Sequence, residues 1–307
     1  MIAKPLSPGG LIGLCSPCHI ADREKYAAMI AGLRSLGYRV KEAPNLYKKT
    51  YLYGASPLER AADLNALIAD DEVELILFGG GEGANEVLPY LDFEAFRRHP
   101  RRVLAYSDAT TILSALWART GVETYYGQSP NRFTAVTEYD LKNFNAFIPA
   151  DGEAHIPSEP WLTLTPGTGR GILIGGYSRN FALQLGTEYF PLDLSRSYIL
   201  FIEDHEKFGR ADYYSAMLTH IEQSALMPHV RGFLMGHYAI DRHPELYERV
   251  RRLGERWDIP AACCDDFGHG PCHAILRIGA PAELDTVKQT LRYLPEGTDM
   301  TEHCACR

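Results

Sequence analysis

The start of this 307-residue chain lacks any long apolar run: Met1-Ile2-Ala3-Lys4-Pro5 passes directly into Pro8, Gly9 and Gly10. A signal peptide or membrane span needs a continuous apolar segment, so neither is expected and a cytoplasmic location is. Positive charge is also short. Lys and Arg number 31 against 39 Asp and Glu, giving a formal charge of -8, and the charges alternate in sign without forming a basic stripe. Neither nucleic acid nor a membrane is therefore expected as a partner. Cysteine is scarce and odd in number, seven in all, which points to reduced thiols rather than a disulfide framework. No repeat of fixed period is visible. What is present, 46% apolar and 23% charged residues, is ordinary globular composition. The length suffices for a sizeable core and for two domains.

Along the first half, short apolar runs alternate with amphipathic helices. Leu11 to Cys15 has the character of a buried strand, and Asp22 is placed to cap a helix that ends near Leu36, with Gly37 just beyond. Ser56-Pro57-Leu58-Glu59 carries Ser at N-cap, Pro at N1 and Glu at N3, the residues of a capping box. A strand over Leu75 to Phe78 leads to the loop Gly79-Gly80-Gly81-Glu82-Gly83 and a short helix through Val87 and Leu88. A strand over Val103 to Tyr106 turns at Ser107-Asp108 into a helix from about Thr110 to Arg119, with Gly121 as its stop. This βαβ alternation predicts a parallel sheet covered by helices. From about Pro149 to Gly169 the pattern lapses into Pro, Gly, Ser and Thr, with Trp161 among them, and is expected to be a linker or loop. Beyond it, strands are expected at Gly171 to Ile174, Tyr198 to Ile202, Val230 to Met235 and Ala274 to Ile278. Helices are expected near Ala211 to Leu226 and Pro244 to Trp257. The expected domains are thus 1–148, a linker over 149–169, and a smaller α/β domain over 170–307.

Three local features bear chemistry. Ser107 sits where a strand gives way to a helix, a turn that lifts a hydroxyl out of the sheet with the following N–H groups facing an incoming carbonyl. Ala105 and Ala109 stand where a Gly-x-Ser-x-Gly elbow has glycines, and the plain alternative is a helix N-cap. The glycine loop 79–83 admits close approach of a ligand to backbone N–H groups, either as a phosphate cradle or as an oxyanion hole; the alternative is a turn needing positive φ. It fails the G-x-G-x-x-G pattern, because Ala84 stands three residues beyond Gly81. Third, the apolar run Ile199 to Ile202 ends in Glu203-Asp204, and His269 lies in a glycine-flanked loop. A carboxylate at a strand end is suited to orient an imidazole. Either residue taken alone is more simply a solvated strand end or a surface or core histidine.

Taken together, these segments resemble the LD-carboxypeptidase family, serine peptidases that include murein tetrapeptide carboxypeptidases and microcin C immunity hydrolases. The matching stretches run almost the whole length in order. They are Ile12-Gly13-Leu14 with Ser16-Pro17, Arg60-Ala61-Ala62-Asp63-Leu64-Asn65, Gly80-Gly81 followed by Leu88-Pro89-Tyr90-Leu91-Asp92, and Tyr106-Ser107-Asp108-Ala109-Thr110. They continue with Tyr126-Gly127, Gly175-Gly176, Leu185-Gly186-Thr187, Leu200-Phe201-Ile202-Glu203-Asp204 and Gly268-His269. The resemblance implies Ser107 as nucleophile, Glu203 as triad acid and His269 as general base, with the backbone N–H groups of Asp108 and of the loop at Gly81 forming the oxyanion hole. It also implies a flavodoxin-like, amidotransferase-like N-terminal domain with a parallel sheet, a distinct C-terminal domain, no metal or organic cofactor, and a homodimer. The expected activity is hydrolysis of a small peptide-like amide, an L,D bond of a murein-type peptide. A microcin-type hydrolase of peptidyl or aminoacyl nucleotides is the alternative, motivated by Trp161, whose indole suits stacking on a base. A non-catalytic nucleotide-binding protein built on the glycine loop is the alternative of another class.

The chain departs from the family pattern at three places. Gly79 and Glu82 stand where many members have Arg and Tyr, Tyr177-Ser178 stands where many have Asn-Leu, and Ala105 replaces a glycine. Losing an arginine removes a fixed bidentate donor, and Glu82 disfavours a free carboxylate unless a cation offsets it; Arg170 and Arg179 are the candidates, with a bland surface role as the alternative. Cys15-Ser16-Pro17-Cys18 has zinc spacing, but the further cysteines, Cys263, Cys264, Cys272 and Cys304-Ala305-Cys306, provide no second well-spaced pair. His237, His243 and Asp204-His205-Glu206 are surface candidates more than ligands. Tyr51, Tyr53, Tyr125 and Tyr126 either line a pocket or pack.

Overall fold

A computed structural model of the chain describes residues 1–19, 21–149, 155–241 and 243–301. It is a mixed α/β protein of two compact units, Met1–Gly152 with His273–Leu276, and Glu153–Cys272 with Arg277–Arg307.

The first unit begins with β1 (Leu11–Leu14), α1 (Arg23–Ser35), β2 (Arg39–Glu42), α2 (Pro57–Ala69) and β3 (Val73–Leu77). It continues with α3 (Phe93–Arg98), β4 (Arg102–Ala105), α4 (Thr110–Thr120), β5 (Thr124–Tyr126) and α5 (Glu138–Phe147). The strand order β2-β1-β3-β4-β5, with parallel pairing throughout, is the flavodoxin-like arrangement. Helices cover both faces of such a sheet, which is why β1 and β4 are buried along their whole length. On one face Ile12, Leu14, Leu75, Leu77 and Leu104 pack against Tyr26, Ile30 and Leu33 of α1 and Phe144 and Phe147 of α5. The helix boundaries follow local chemistry. Asp22 accepts from the Lys25 N–H at the start of α1, and Ser56 and Glu59 form the reciprocal capping box of α2.

Strand β2 carries no apolar signal, because its Arg-Val-Lys-Glu sequence lies at a solvated sheet edge. The expected strand over Ala274 to Ile278 is shorter, Leu276–Ile278, and it joins the first sheet beside β5 rather than the second. Its apolar residues announce a strand, but nothing local says which sheet receives it.

The second unit contains β6 (Leu162–Thr165), β7 (Thr168–Tyr177), α6 (Ser178–Gln184), β8 (Tyr198–Glu203), α7 (Ala211–Glu222), β9 (Val230–His237), α8 (Pro244–Trp257) and β10 (Ala261–Gly268). Then come β11, the strand Leu276–Ile278 already placed, and the hairpin β12 (Pro281–Asp285) and β13 (Thr290–Tyr293). Its sheet runs β13-β12-β7-β8-β9-β10-β6, parallel from β7 to β10 and antiparallel at the edges. Among the described residues this sheet has seven strands and the first sheet six. The buried residues Leu246, Val250 and Leu253 of α8 fall four and three apart, on the helix face that meets the sheet.

Of the stretch expected to be a linker, residues 150–154 lie outside the described residues. The remainder is not a linker: it contains β6, paired antiparallel with β10, and a polar anchor beside it. Buried Asp266 accepts from the Trp161 indole N–H at 2.8 Å, from the Ser158 N–H at 2.6 Å and from the Ser158 hydroxyl, and it bonds the His155 ring at 2.7 Å. A buried carboxylate needs such partners. Their proline- and serine-rich setting conceals them in the sequence.

The capping box gives a direct test. Ser56→Ala removes an acceptor for the Glu59 N–H and a donor to its carboxylate, and is expected to lower the stability of the first unit by about 1 kcal/mol. Urea denaturation of the full chain checks this through a lower midpoint of the first unit's transition.

Candidate active site

Ser107 lies directly beyond β4, at the carboxyl edge of the first sheet, the edge where open parallel sheets hold their ligands. Its φ is +65°, a left-handed conformation that residues with a side chain seldom adopt. Such local strain persists only where surrounding structure holds it in place. Three contacts do so here: the Ser107 N–H donates to the Tyr126 hydroxyl at 3.0 Å, the Thr110 hydroxyl donates to the Ser107 carbonyl at 2.7 Å, and the Ala109 N–H bonds the Tyr106 carbonyl at 3.3 Å. Ser107 caps neither following helix. Tyr106 holds the cap position of the short 3₁₀ turn Ser107–Ala109 and Ala109 that of α4, and neither makes a side-chain cap bond. The turn therefore has the backbone of an elbow even without the flanking glycines.

The glycine loop packs against this elbow. A Cβ on Gly80 would stand 2.4 Å from the Ser107 Cβ and 2.8 Å from the Tyr106 carbonyl oxygen, so no side chain fits there. Gly81, the expected oxyanion donor, follows on the same loop, and the next N–H, that of Glu82, is tied to the Cys18 carbonyl at 2.6 Å. Asp108 is buried, and its carboxylate accepts the Ala84 N–H at 2.9 Å, which pins the far end of the loop to the elbow. Sequence inspection missed Arg60 as the second anchor. Its buried guanidinium donates to the carbonyls of Ala55 and Gly83 at 3.1 Å each and to that of Pro17, and pairs with Glu86 at 2.8 Å. Tyr126, left between pocket and packing, is buried and works as the acceptor for the Ser107 N–H.

In the second unit the structure brings Glu203 and His269 together. Glu203 ends β8, is fully buried, and bonds His269 Nδ1 at 2.8 Å through Oε2. His269 follows Gly268, the last residue of β10, so both groups again stand at the carboxyl ends of parallel strands. Gly268 makes the pair possible. Its φ is +104°, and a Cβ there would meet the Glu203 Oε2 at 2.9 Å. Burial by itself lowers an imidazole pKa, but the charge of Glu203 and the hydrogen bond to it, with the charge of Asp204, outweigh that, and His269 is raised above the ordinary 6.5. Asp204, the residue after β8, accepts the Ser178 hydroxyl and the His205 N–H. Burial, opposed by those two bonds, lifts its carboxyl to about 6.

The rings of Tyr177 and Phe208 pack on the His269 imidazole at centroid distances of 5.3 and 4.9 Å. The other candidate positions have structural roles. His237 bonds Asp265 at 2.7 Å, and its ring lies 5.6 Å from that of His205; His243 lies beside Glu245 at 3.2 Å. Arg170 pairs with Glu283 at 2.6 Å, so its charge is engaged within the second unit. Trp161 is buried with its N–H on Asp266, which makes it a packing residue and removes the observation that favoured a stacked nucleobase. Cys15 and Cys18 are buried thiols pushed up by burial, Cys263 and Cys264 are buried in the second unit, and Cys304 and Cys306 lie outside the described residues. Among the described residues no group of three or more His, Cys, Asp or Glu could hold a metal ion, and no helix is long and apolar enough to cross a membrane.

Comparison with known proteins bears on both units. Residues 12–127 match the LD-carboxypeptidase N-terminal domain and residues 170–284 match the LD-carboxypeptidase C-terminal domain. The chain belongs to the LD-carboxypeptidase family. A candidate carboxypeptidase of Treponema pallidum is 31% identical over 84% of this chain and 83% of its own length. A candidate murein peptide carboxypeptidase of Bacillus subtilis is 27% identical over 94% of this chain and 92% of its own. Among solved structures, an MccF-like protein from Bacillus anthracis superposes with a TM-score of 0.88 at 24% identity, covering 96% of this chain and 99% of that one, and so shares the fold. The LD-carboxypeptidase relationship thus covers both units and makes the chain a carboxypeptidase-type hydrolase.

Because the folded pKa of His269 lies above its unfolded value of about 6.5, the charged pair stabilises the second unit fully below that pH. The contribution is lost as pH rises through the folded value. Glu203→Gln removes the opposing charge and leaves burial dominant. NMR titration of the histidine ring is expected to place His269 above 6.5 in the natural protein and below it in the variant.

Proposed function

We propose that this LD-carboxypeptidase family member is a serine-type hydrolase of small peptide-like amides, with Ser107 as nucleophile, His269 as general base and Glu203 as the group that orients it. The observation that carries the reading is the buried Glu203–His269 pair. A carboxylate bonded to Nδ1 fixes the tautomer in which Nε2 is the proton acceptor, and it stabilises the imidazolium formed once that proton is taken. In the proposed cycle Ser107 Oγ attacks the amide carbonyl as its proton passes to His269 Nε2. The N–H groups of Asp108 and Gly81 receive the developing oxyanion. The proton then passes from His269 to the leaving amine as the C–N bond breaks, and water, deprotonated by the same imidazole, hydrolyses the acyl-serine. No metal or organic cofactor enters these steps.

The raised backbone at Ser107 and the glycine loop against it support the nucleophile assignment. The division of labour proposed is a nucleophile domain over 1–148 and a domain over 170–307 that supplies the acid and the base. For the substrate we favour an L,D bond near the carboxyl end of a murein-type peptide, in keeping with the name of the Bacillus subtilis relative. A cytoplasmic homodimer is the form in which we expect it to act, and light scattering of the purified chain tests the dimer.

Ser107→Ala and His269→Ala are each expected to lower turnover of a tetrapeptide ending in L-Lys-D-Ala by about 10,000-fold or more, with circular dichroism unchanged. Full activity in the serine variant would overturn the assignment. Running the same enzymes on an aminoacyl sulfamoyl adenosine separates peptide from nucleotide-linked amides as the preferred substrate.

A further inference from the structure

Asp204 follows the proposed triad acid and takes no part in the steps above, yet it is buried to 1% exposure. A buried carboxylate must be satisfied by donors, and here both donors are neutral: the hydroxyl of Ser178, the first residue of α6, and the His205 N–H at 2.7 Å. Each donor belongs to a segment that brings an aromatic ring to His269. On one side, Tyr177 ends β7 in register with Glu203 of β8, so the Ser178–Asp204 bond continues that pairing one residue beyond the strands. It fixes the point at which the chain leaves the sheet, and the Tyr177 ring there meets the imidazole at 5.3 Å and 61°. On the other side, His205 opens a tight turn. Its carbonyl accepts the N–H groups of Phe208 at 2.8 Å and Gly209 at 3.1 Å, and its Nδ1 accepts the Lys207 N–H at 3.1 Å. Phe208, carried on this turn, meets the imidazole at 4.9 Å and 59°. The turn lies close over the carboxylate, since a Cβ on Gly209 would stand 3.5 and 3.8 Å from its two oxygens.

The two rings need such anchors. Phe208 is 63% exposed, and both rings line a cavity of about 650 Å³ whose wall also includes Arg179. A ring that borders open space is not held by its surroundings alone, so the tether of its backbone decides where it stays. His269 in turn needs the rings. The bond from Nδ1 to Glu203 fixes one corner of the imidazole, and packing against its faces is what limits the tilt of the ring and with it the direction of Nε2.

We infer that Asp204 is a positioning residue for the reaction of His269: through Ser178 and His205 it holds Tyr177 and Phe208 against the imidazole, so that Nε2 keeps the direction that proton transfer requires. For its kinetic consequence the inference rests on the hydrolase reading above; the double tether itself is a property of the second unit.

Three variants test it. Asp204→Asn removes the charge but keeps an oxygen for the His205 N–H and an N–H for the Ser178 oxygen. Asp204→Ala removes both tethers, and Ser178→Ala removes one. At a pH where His269 is neutral in every form, Asp204→Ala is expected to lower kcat on the L-Lys-D-Ala tetrapeptide by about 100-fold with KM changed less than about two-fold, Ser178→Ala by about 10-fold, and Asp204→Asn by no more than about three-fold. Nuclear Overhauser contacts from the His269 ring to Tyr177 and Phe208 are expected in the natural protein and in Asp204→Asn, and are expected to be lost in Asp204→Ala. The His269 titration in Asp204→Asn is expected to move to lower pH, because the charge of Asp204 is one of the causes that raise it.

Unchanged kcat or unchanged ring contacts in Asp204→Ala overturn the inference. So does an equal loss in Asp204→Asn and Asp204→Ala, because charge alone then accounts for the effect. If circular dichroism shows Asp204→Ala unfolded, Ser178→Ala decides: weakened Tyr177 contacts and lowered kcat beside a near-normal Asp204→Asn support the inference, and natural contacts or natural kcat overturn it. Absence of turnover in the natural protein, with ring contacts that follow the expected pattern, removes the hydrolase reading and leaves the tether standing. Turnover indifferent to Asp204→Ala does the reverse.

Discussion

A carboxylate with no access to water must be paired, and in this molecule Glu203 is paired with an imidazole. Much of the second unit is arranged so that the two can meet. Strands β8 and β10 end at the same edge of one parallel sheet, Gly268 leaves the space that the carboxylate occupies, and Gly236 leaves more, since a Cβ there would stand 2.9 Å from the Glu203 Cβ. Separating the partners would leave a buried charge unsatisfied at a cost of several kcal/mol. The pair is thus a fixed feature of the unit, and its electrostatics, charge attraction outweighing burial, keep His269 basic.

The first unit solves a different problem, that of exposing a hydroxyl on a backbone that resists it. A left-handed serine is costly by roughly 1–3 kcal/mol. The surroundings answer with a tyrosine hydroxyl on its N–H, a threonine hydroxyl on its carbonyl and a glycine loop that leaves room for its side chain. Asp108 and buried Arg60 extend this support through the loop to Ala84, Gly83 and Pro17. The two units place these candidate groups by the same device, at the carboxyl ends of parallel strands, where side chains leave the sheet and helices or loops begin.

Sequence inspection succeeded where local rules bind. The caps at Asp22 and Ser56, the stop at Gly121 and the helix Pro244–Trp257 follow from residue chemistry over one or two turns. It failed where the partner is distant. Strand β10 has the sequence Ala-Ala-Cys-Cys-Asp-Asp-Phe-Gly, with neither alternation nor β-branched residues, and is a strand because β9 and β6 flank it. Trp161 stands among loop-forming residues, yet it is buried because Asp266, more than a hundred positions away, receives its N–H. The hairpin β12–β13 and the return of Leu276–Ile278 to the first sheet are likewise matters of long-range pairing.

The sequence by itself determined the α/β class and the family, and it nominated the residues proposed to carry the chemistry, since ordered motifs along the chain record which side chains are present. Only the tertiary structure decided that Glu203 reaches His269, that Gly80 stands against Ser107, and that Tyr177 and Arg179 border a cavity rather than a plain surface. The physical reason is range. Caps, turns and periodic faces depend on neighbours within a few residues, whereas a buried ion pair, a close backbone approach or a cavity wall depends on which distant strands are laid side by side.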